Sequence, residues 1–433
     1  MRVLIISHMY PSCVTPVGGI FVQKQAEAFV DAGVEVVLVN PVPWVPPFLD
    51  WHPRWRLFRQ VPRREQHHGM TVHYPRFVEL PKGLLFSSVA GRFYMGIASL
   101  VRRIIKEWRP DVIQAHAAYP DGVAAVRFGN EYGIPVVVTV HGLDLYYTLN
   151  FSLACEHSVK YALSGADRVV LVSEALQKNY GIEQWIDLDK LSVIYNGMSF
   201  SDIVTDEQDR DLGAEQKEGR YDRDNDGDEG CCDRDNHGDE GHCDRNNYGS
   251  DDAPVLLTVG FLIERKGHAY VLRALPELLG RFPRLTYRIV GDGEERARLE
   301  RLAETLGVRS HVVFLGDLCH RDAMGEMAGC DVMVLPSWDE GFGVVYLEAM
   351  AHAKPVIGIQ GEGAALLIES EKVGITVPAH DSQAIACAAG EILGDRELAR
   401  GMGRRGRDVV LTQFTWEHNA ERTIRLYKGL ITR

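Results

Sequence analysis

The sequence predicts an α/β protein made of two tandem Rossmann-like domains, each a doubly wound parallel sheet, that face each other across a cleft. Short apolar runs alternate along the chain with amphipathic runs of helical length. Strands that are apolar on both faces and separated by helices are typical of parallel sheets covered by helices. The pattern stops near residue 196 and restarts at residue 253, and 433 residues are sufficient for two or three domains.

The first domain is predicted over residues 1–196. Its strands are short apolar runs, and its helices are longer runs with one apolar face. The predicted strands are 3–6, 34–39, 112–114, 136–140, 168–172 and 191–194, and the predicted helices are 23–32, 93–108, 122–132 and 174–180.

Residues 206–252 are predicted to be a disordered acidic insert or linker between the domains. This stretch contains 18 Asp or Glu against 6 Lys or Arg, so it carries almost all of the formal net charge of −13. A polar, repetitive tract of this kind cannot bury enough apolar surface to fold. Its segment from Asp222 matches the opening of a calcium-binding loop, but the twelfth position is Asp233 rather than Glu, and tandem duplication explains the match.

The second domain is predicted over residues 253–412. Its predicted strands are 255–259, 286–290, 312–315, 332–335, 355–358 and 374–377, and its predicted helices are 269–281, 294–307, 344–353 and 382–394. Residues 413–433 are predicted to form a helix that crosses back to the first domain. Ligands of such proteins bind beyond the carboxyl ends of the strands, which is where functional residues are expected.

The composition is that of an ordinary globular protein, with 45% hydrophobic and 25% charged residues. No apolar run approaches the roughly 20 residues of a membrane-spanning helix, and the first residues read as a buried strand rather than a signal peptide. We therefore expect a cytoplasmic protein whose eight cysteines are thiols. Outside the insert the acidic and basic residues nearly balance, and we expect no nucleic-acid partner.

The most informative segment contains two glutamates, Glu340 and Glu348, with seven residues between them. Glu340 falls in the loop between a predicted strand and a predicted helix, and Glu348 lies about two turns further on, roughly 10 Å away. Gly341 and Gly343 allow the main chain to approach a ligand and leave amides free for an anion. Two carboxylates that accept hydrogen bonds from hydroxyls, beside a cluster of amide donors, suit a sugar nucleotide.

Glycines and a lysine at other predicted strand ends suit the phosphates of such a ligand. Gly18 and Gly19 precede a helix after the first strand, where bare amides can face a diphosphate. Lys266 is a counter-charge just past a strand, while Gly260 and Gly291 allow close approach to the nucleoside. Tight turns and a solvated loop are the alternative interpretations of these segments.

Two histidines each close a predicted strand. His141 is a catalytic candidate together with Glu340 and Lys266, whereas His116 and Asp144 are candidates for the acceptor side of the cleft. His141 is followed by Asp144, whereas His116 ends the preceding strand. A histidine in a sheet protein is more often structural than catalytic, but two at cleft-facing strand ends favour function. Asp144 is alternatively a helix cap.

No acidic pair at a predicted strand end resembles a metal site. Asp-x-Asp pairs occur only in the insert and in the ordinary loop at Asp187 and Asp189. We therefore expect a metal-independent mechanism in which lysine and helix dipoles stabilise a departing phosphate, with no cofactor apart from the nucleotide-sugar substrate.

Aromatic residues and arginines are interleaved over residues 44–64. This composition is equally compatible with docking at an anionic membrane surface and with a packed loop that has a basic exterior. A protein of the first kind is peripheral at the inner face of the membrane.

Together these segments resemble the glycosyltransferase family 4 proteins, which are retaining enzymes of the two-domain GT-B fold. The resemblance covers nearly everything outside residues 206–252. The segments that carry it are Pro336-Ser, Glu340-Gly-Phe-Gly, Glu348-Ala-Met-Ala, Lys354-Pro-Val-Ile, Val17-Gly-Gly-Ile-Phe-Val, His141-Gly-Leu-Asp, Tyr195-Asn-Gly and Lys266-Gly-His. Ile359-Gln-Gly-Glu-Gly and the arginine-rich region also resemble a subgroup that assembles teichuronic acid or other surface polysaccharides.

The resemblance implies that most of these residues bind the donor. In the family's pattern Glu340 contacts hydroxyls of the transferred sugar and Glu348 contacts the ribose. Lys266 holds the diphosphate, and His141 lies beside the anomeric carbon. The residues that line the phosphates or offer main-chain amides to the donor are Phe342, Gly343, Gly18 and Gly19.

The sequence departs from the family's pattern at two positions. Phe261 stands where the family commonly has an arginine that pairs with the lysine on the diphosphate. Arg265 is close in sequence, but as the neighbour of Lys266 we expect it to point elsewhere. Ala353 stands where a glycine is usual.

The function that these residues imply is retaining transfer of a sugar from a nucleotide-diphosphate donor, a UDP-sugar, to a glycan or lipid-linked acceptor in cell-surface polysaccharide biosynthesis. A nucleotide-sugar epimerase of the same fold is the alternative within enzymes. A donor-binding protein with little catalysis is the alternative from another class, and the loss of a cation at Phe261 favours it.

Overall fold

The structure is a computed structural model that describes residues 1–15, 18–46, 53–80, 84–203 and 253–432. The predicted insert over residues 206–252, with its calcium-loop match, lies outside the described residues. So do residues 47–52 of the arginine-rich region.

The first domain is built around a large twisted sheet. Its strands are β1 (Arg2–Ile6), β2 (Glu35–Val39), β3 (Val42–Pro43), β4 (Arg64–His67), β5 (Met70–His73), β6 (Arg76–Phe77), β7 (Val112–His116), β8 (Val136–Val140), β9 (Arg168–Leu171) and β10 (Leu191–Val193). Eight of them form one sheet in the order β10-β9-β8-β7-β1-β2-β5-β4, and β3 pairs separately with β6. All neighbours in the large sheet are parallel except β4 and β5.

Helices cover both faces of this sheet, and its inner strands are therefore buried on both faces. Every residue of β7 and β8 is buried. The helices of the first domain are Ile20–Asp31, Pro53–Gln60, Val89–Trp108, Val123–Tyr132, Leu153–Gly165 and Glu174–Tyr180. The helix Val89–Trp108 buries an apolar stripe against the sheet that includes Phe93, Ile97 and Val101.

The second domain repeats this architecture with a smaller sheet. Its strands are β11 (Val255–Val259), β12 (Thr286–Val290), β13 (Val312–Gly316), β14 (Val332–Val334), β15 (Val356–Ile359) and β16 (Gly374–Val377). They are parallel and lie in the order β13-β12-β11-β14-β15-β16. The helices are His268–Arg281, Arg296–Thr305, His320–Gly329, Val344–Ala351, Ala365–Ser370, Ser382–Gly394 and Arg396–Gln413.

The predicted fold class of two doubly wound parallel-sheet domains is confirmed, and each predicted strand is present within a residue or two of its predicted bounds. The sequence analysis missed the strands β3 to β6. Of these, β4 reads Arg-Glu-Gln-His and is an edge strand, so it has no apolar alternation to detect. The longer helices that were not predicted are Pro53–Gln60, Leu153–Gly165, His320–Gly329, Ala365–Ser370 and Arg396–Gln413.

The last helix, Trp416–Ile431, packs on the first domain through a buried chain of polar side chains. The Gln25 amide donates to Asn419 Oδ1 at 2.6 Å, and the Gln114 amide donates to Gln25 Oε1 at 2.9 Å. The Asn419 amide donates to the carbonyl of Tyr195 at 2.7 Å, and the Tyr427 hydroxyl donates to Gln114. These bonds satisfy groups whose burial without a partner costs about 1–3 kcal/mol each.

The polypeptide passes between the domains twice, and the two passages touch. The amide of Met198 donates to the carbonyl of Phe414 at 2.9 Å, and the amide of Trp416 donates back to the carbonyl of Met198 at 3.3 Å. A Cβ at Gly197 would lie 2.5 Å from the Trp416 nitrogen, so only glycine permits this approach.

Ala353, where the family has glycine, has a φ of 55°. This is the left-handed region, which costs a residue with a side chain about 1–2 kcal/mol. The family's preference for glycine at this position therefore has a conformational cause, and the alanine carries the strain.

Candidate active site

In each sheet the strand order reverses at one strand, and the position of this reversal determines where the cleft lies. β1 lies between β2 and β7, and β11 lies between β12 and β14. At such a switch point the connections leave on opposite sides and open a crevice beyond the carboxyl ends. Loops after β1, β7 and β8 in the first domain and after β11 and β14 in the second contain most of the predicted site residues.

Glu340 and Glu348 lie in the segment between β14 and the end of the helix Val344–Ala351. Glu340 is in the loop, four residues before the helix begins, and its side chain is largely buried. Glu348 is within the helix and half-buried. The structure therefore places the first carboxylate at the loop and the second one turn into the helix.

Lys266 lies against Glu340. Its Nζ is 2.5 Å from Glu340 Oε2, and both side chains are only 13% exposed. Ser337 Oγ donates to the same oxygen at 2.9 Å. Burial alone would raise the pKa of Glu340, but Lys266, Arg265 and the Ser337 hydroxyl together outweigh burial and lower the pKa of this carboxyl. The site therefore holds an ionised carboxylate and an ammonium group in direct contact.

The expectation that Arg265 points away from the site is wrong. Its Nη1 is 3.9 Å from Glu340 Oε2 and 3.4 Å from the carbonyl of Asp339. Its guanidinium also lies over the ring of Tyr146, 5.4 Å from the centroid, on the opposite domain. Arg265 and Lys266 both belong to the 3₁₀ turn Glu264–Lys266, and their long side chains reach the same carboxylate. The site therefore has two cations.

Phe261 is 63% exposed at the beginning of the same loop, after β11. Its ring supplies no charge, and its carbonyl is 3.2 Å from Nε2 of the buried His268. The position that the family gives to an arginine is thus an exposed aromatic group here, and the second cation comes from Arg265 four residues later.

Glycines bring main chains together around this site. A Cβ at Gly341 would lie 1.9 Å from the carbonyl oxygen of His141, across the cleft. Gly343 has a φ of 83° and immediately precedes the helix Val344–Ala351, whose first amides face the loop. Phe342 is buried, and its ring centroid is 5.5 Å from that of Tyr195.

Gly260 and Gly291 lie side by side at the ends of β11 and β12. Gly291 has a φ of 125°, and a Cβ there would be 2.3 Å from the carbonyl oxygen of Gly260. These two strand ends are therefore packed main chain to main chain, and a Cβ at Gly260 would lie 3.8 Å from the Lys266 side chain.

His116 and His141 are brought together at the ends of β7 and β8. His116 Nδ1 is 3.1 Å from His141 Nε2, and the rings stack with centroids 5.4 Å apart. The Phe21 ring packs on His141 at 4.4 Å. Burial lowers the pKa of His116 well below its ordinary value, and burial with the charge of His8 lowers the pKa of His141 to about 3. Both imidazoles are therefore neutral, with one donating to the other.

Asp144 is buried, and Oδ1 accepts from the amide of Tyr119 at 3.1 Å. It makes no capping bond to its own helix. Burial raises the pKa of Asp144 to about 6, although the amides of Tyr119 and Ala118 oppose the shift. This carboxylate therefore holds the loop after β7 through the main-chain amide of Tyr119.

Gly18 and Gly19 lie before the helix Ile20–Asp31, and residues 16–17 of the same loop are outside the described residues. Gly19 has a φ of 77°, and a Cβ there would be 2.4 Å from the carbonyl of Met9. The glycines are therefore pressed against the segment that follows β1, at the same edge of the sheet as the histidines.

The sequence analysis missed a histidine and a carboxylate at this edge. His8 follows β1, and Asp121 follows β7; their side chains are 2.9 Å apart. The same rule that selected His116 and His141, a polar residue just past a cleft-facing strand, would have found His8.

The two domains touch directly beside the site. Ser173 Oγ donates to the carbonyl of Gly341 at 2.6 Å, and the Tyr180 hydroxyl donates to Asp339 Oδ1 at 3.2 Å. The Asn179 amide donates to the carbonyl of Gly361 at 3.0 Å. The helix Glu174–Tyr180 of the first domain thus contacts the loops on both sides of Glu340.

Within the ranges that the structure describes, no group of three or more His, Cys, Asp or Glu side chains is arranged to hold a metal ion. A search of the same residues for a helix long and apolar enough to cross a bilayer found none.

Two family models match the chain in tandem. The model described as Glycosyltransferase Family 4 matches residues 18–201, and the model described as Glycosyl transferases group 1 matches residues 244–409. Together they cover well over half of the chain. The boundary between them falls between the two sheets.

Curated relatives match this chain mainly over one half of its length. A GDP-mannose-dependent alpha-(1-6)-phosphatidylinositol monomannoside mannosyltransferase of Mycolicibacterium smegmatis is 36% identical over 185 residues, 41% of this chain and 48% of the relative. The lipopolysaccharide core biosynthesis glycosyltransferase LpsE of Rhizobium meliloti is 34% identical over 166 residues, 38% of this chain and 47% of the relative. The chain thus spans about half the length of these curated relatives.

Solved structures match over the full length. Sucrose-phosphate synthase from Thermosynechococcus elongatus has a TM-score of 0.75 at 20% identity, covering 100% of this chain and 99% of that one. Anabaena Alr3699/HepE in complex with UDP has a TM-score of 0.68 at 18% identity, covering 99% and 100%. At these identities the likeness shows the shared two-domain fold.

Proposed function

Because the chain belongs to the family 4 glycosyltransferases, we propose that it transfers a sugar from a nucleoside-diphosphate sugar to a glycan or lipid-linked acceptor in cell-surface polysaccharide biosynthesis. The observation that carries the proposal is the buried contact of Lys266 with Glu340 at the cleft, directly below the main chain of His141. An ammonium group for a diphosphate and a carboxylate for sugar hydroxyls lie side by side there.

The contacts suggest how the donor is received. Lys266 and Arg265 both lie against Glu340. A diphosphate offers both cations a stronger anion, and their transfer to it frees Glu340 to accept from the hydroxyls of the sugar. The amides at Phe342 and Gly343, at the start of the helix Val344–Ala351, add a positive pole beside the phosphates.

In the proposed mechanism the departing diphosphate is stabilised by these cations and amides without a metal ion. The sugar keeps its anomeric configuration, the leaving phosphate oxygen receives the acceptor's proton, and Glu348 binds the ribose. His141 lies across the cleft from Gly341 and faces the reacting carbon.

Arg265 provides a sharp test of the donor site. Replacing it by alanine is expected to weaken binding of a nucleoside diphosphate about tenfold, because one charge-assisted contact with phosphate is lost. Thermal unfolding with UDP, GDP, UDP-glucose and GDP-mannose measures this, since a ligand that binds only the folded protein raises its Tm. The expected donor is a UDP-sugar, whereas a relative is named for GDP-mannose, so nucleotides of both kinds are compared.

The matched control is Arg273→Ala, an exposed arginine on the adjoining helix His268–Arg281. Equal affinities for Arg265→Ala and the wild type would contradict the role of Arg265. Absence of any shift with all four ligands would contradict the proposed function itself. Analysis of the products without acceptor then separates transfer from epimerisation.

We also propose peripheral contact with an anionic membrane through the region that includes residues 44–64. Exposed apolar side chains adjoin there: the Trp44 amide donates to the carbonyl of Phe77, which places Trp44 beside Val78. Arg92 Nε donates to the carbonyl of Val78 at 2.9 Å, close to the exposed Leu85. An apolar surface with a basic residue at its centre suits insertion among acidic headgroups.

Co-sedimentation with phosphatidylglycerol vesicles is expected for the wild type and reduced severalfold for Trp44→Ser with Leu85→Ser. Phosphatidylcholine vesicles should bind less, because the electrostatic attraction is missing. Leu188→Ser, at an exposed leucine beside β10, is the control. Undiminished binding of the double variant would exclude this surface.

A further inference from the structure

A buried carboxylate orients His8 at the first strand's end. Asp121 is fully buried, and its oxygens accept from both the main-chain amide of His8, at 3.1 Å, and its ring Nδ1, at 2.9 Å. The His8 side chain is nonetheless 34% exposed. Because Nδ1 is turned inward to Asp121, the accessible edge of the ring is the one that carries Nε2.

The position of this pair relates it to the candidate site. β1, β7 and β8 are neighbours in the sheet, and Ile6 pairs with Ala115, so His8 leaves the sheet beside His116. The segment after β1 also touches Gly19. His8 is thus on the first-domain wall of the cleft, whereas the proposed donor cations, Lys266 and Arg265, are on the opposite wall.

His8 differs electrically from the other histidines at this edge. The rings of His116 and His141 stack on each other, Phe21 packs on His141, and both imidazoles stay neutral. Burial works against a charge on His8, but the surrounding carboxylates, Asp121 foremost, together outweigh burial and raise the pKa of His8. The other charged or titratable groups that act on His8 are Asp144 and Glu79, which add to the effect, and His141.

We propose that His8, held in place by Asp121, binds the attacking hydroxyl of the acceptor through Nε2. The proposal rests on the proposed glycosyl transfer and assigns the acceptor side of that reaction to residues of the first domain. A neutral imidazole whose Nδ1–H is fixed on a carboxylate presents Nε2 as a hydrogen-bond acceptor in one orientation. That is the group needed to aim an incoming hydroxyl.

The bond changes balance without a further reactant. The hydroxyl oxygen forms a bond to the anomeric carbon while the bond from that carbon to the phosphate oxygen breaks, and the electron pair leaves with the diphosphate. His8 Nε2 takes the hydroxyl proton during the attack and then passes it to an oxygen of the departing phosphate, which returns the imidazole to its neutral form. Only neutral His8 can accept this hydrogen bond, so protonated His8 is inactive.

The pH dependence follows from this protonation. The rate is expected to fall as the pH drops through the raised pKa of His8, and the half-maximal point should lie above the ordinary value of about 6.5. Asp121→Asn removes the anion but keeps an oxygen for the Nδ1–H, so the acidic limb should move to lower pH. His8→Gln should remove the limb and lower kcat/KM roughly a hundredfold.

Water serves as the acceptor in the assay, so no acceptor need be identified. Release of sugar from UDP-glucose and from GDP-mannose is followed between pH 5 and pH 9 in the wild type, Asp121→Asn and His8→Gln. UDP and GDP affinities are measured in parallel and should be unchanged in both variants. An acidic limb that survives His8→Gln, or a limb that does not move in Asp121→Asn, would overturn the proposal.

An NMR titration tests the pair independently of turnover. The His8 ring resonance, identified as the one absent from His8→Gln, should titrate above the ordinary histidine value and move down in Asp121→Asn. A His8 pKa that ignores Asp121→Asn would overturn the assignment even if neither nucleotide sugar were hydrolysed. If neither nucleotide nor nucleotide sugar binds the wild type while this titration behaves as expected, the proposed function fails and the pair stands.

Discussion

Lys266→Met is expected to reduce sugar transfer on the order of a thousandfold. The ammonium group is the cation closest to Glu340, 2.5 Å away, and in the proposed mechanism it neutralises the diphosphate as it leaves. Methionine keeps the length and apolar stem of the side chain but removes the charge. Release of nucleotide from the donor, with unfolding followed by circular dichroism, measures both consequences.

The free energy of unfolding of the same variant should also be lower by about 3 kcal/mol, because the buried Glu340 carboxylate loses its cation. The double variant Lys266→Met with Glu340→Gln removes the stranded charge, so stability should return while activity does not. This pair of variants separates the structural contact from the chemistry. Near wild-type transfer by the double variant would contradict the assignment of both side chains, and Arg273→Met serves as the control for loss of a nearby cation.

Gly341→Ala is expected to lower transfer about a hundredfold while leaving each domain folded. The new methyl group would lie 1.9 Å from the carbonyl oxygen of His141, a backbone atom of the other domain that cannot move aside alone. The domains must therefore separate, which also breaks the bond from Ser173 to the carbonyl of Gly341. Small-angle X-ray scattering should show a larger radius of gyration.

The matched control is Gly325→Ala, in the helix His320–Gly329, where an added Cβ meets no atom within 4 Å. It should be fully active and slightly more stable, since alanine favours a helix more than glycine does. UDP or GDP should still bind Gly341→Ala, because Lys266 and Arg265 stay on the second domain. A variant with normal activity and an unchanged radius would show that the domains do not need this contact.

The extent to which the sequence predicted the site can be traced to particular residues. Glu340 and Lys266 were identified in loops that follow a buried strand, and His116 and His141 at the ends of strands; the ends of parallel strands converge. The direction of Arg265 was not predictable from its place next to Lys266, because the 3₁₀ turn that aims both at one carboxylate depends on Gly267, with a φ of 72°.

The fold shows the same division. Strands buried on both faces, such as β7 and β8, are rich in apolar residues and were predicted, whereas the polar edge strand β4 was not. The chain of bonds from Gln25 to Asn419 joins residues 394 positions apart, and no local pattern encodes it. The local periodicity of apolar residues thus specifies the sheets and the helices that cover them. Long-range hydrogen bonds between polar side chains specify how segments distant in sequence pack together.

The double passage of the chain at Met198 and Trp416 has a mechanical consequence. A single covalent connection would let the two domains rotate freely about it. Two chain segments that are hydrogen-bonded to each other permit rotation about a single axis, so the domains open and close along one path. Each closure would then bring the Gly341 backbone back to the same position against His141. A site divided between two domains can be reassembled in this way at every turnover.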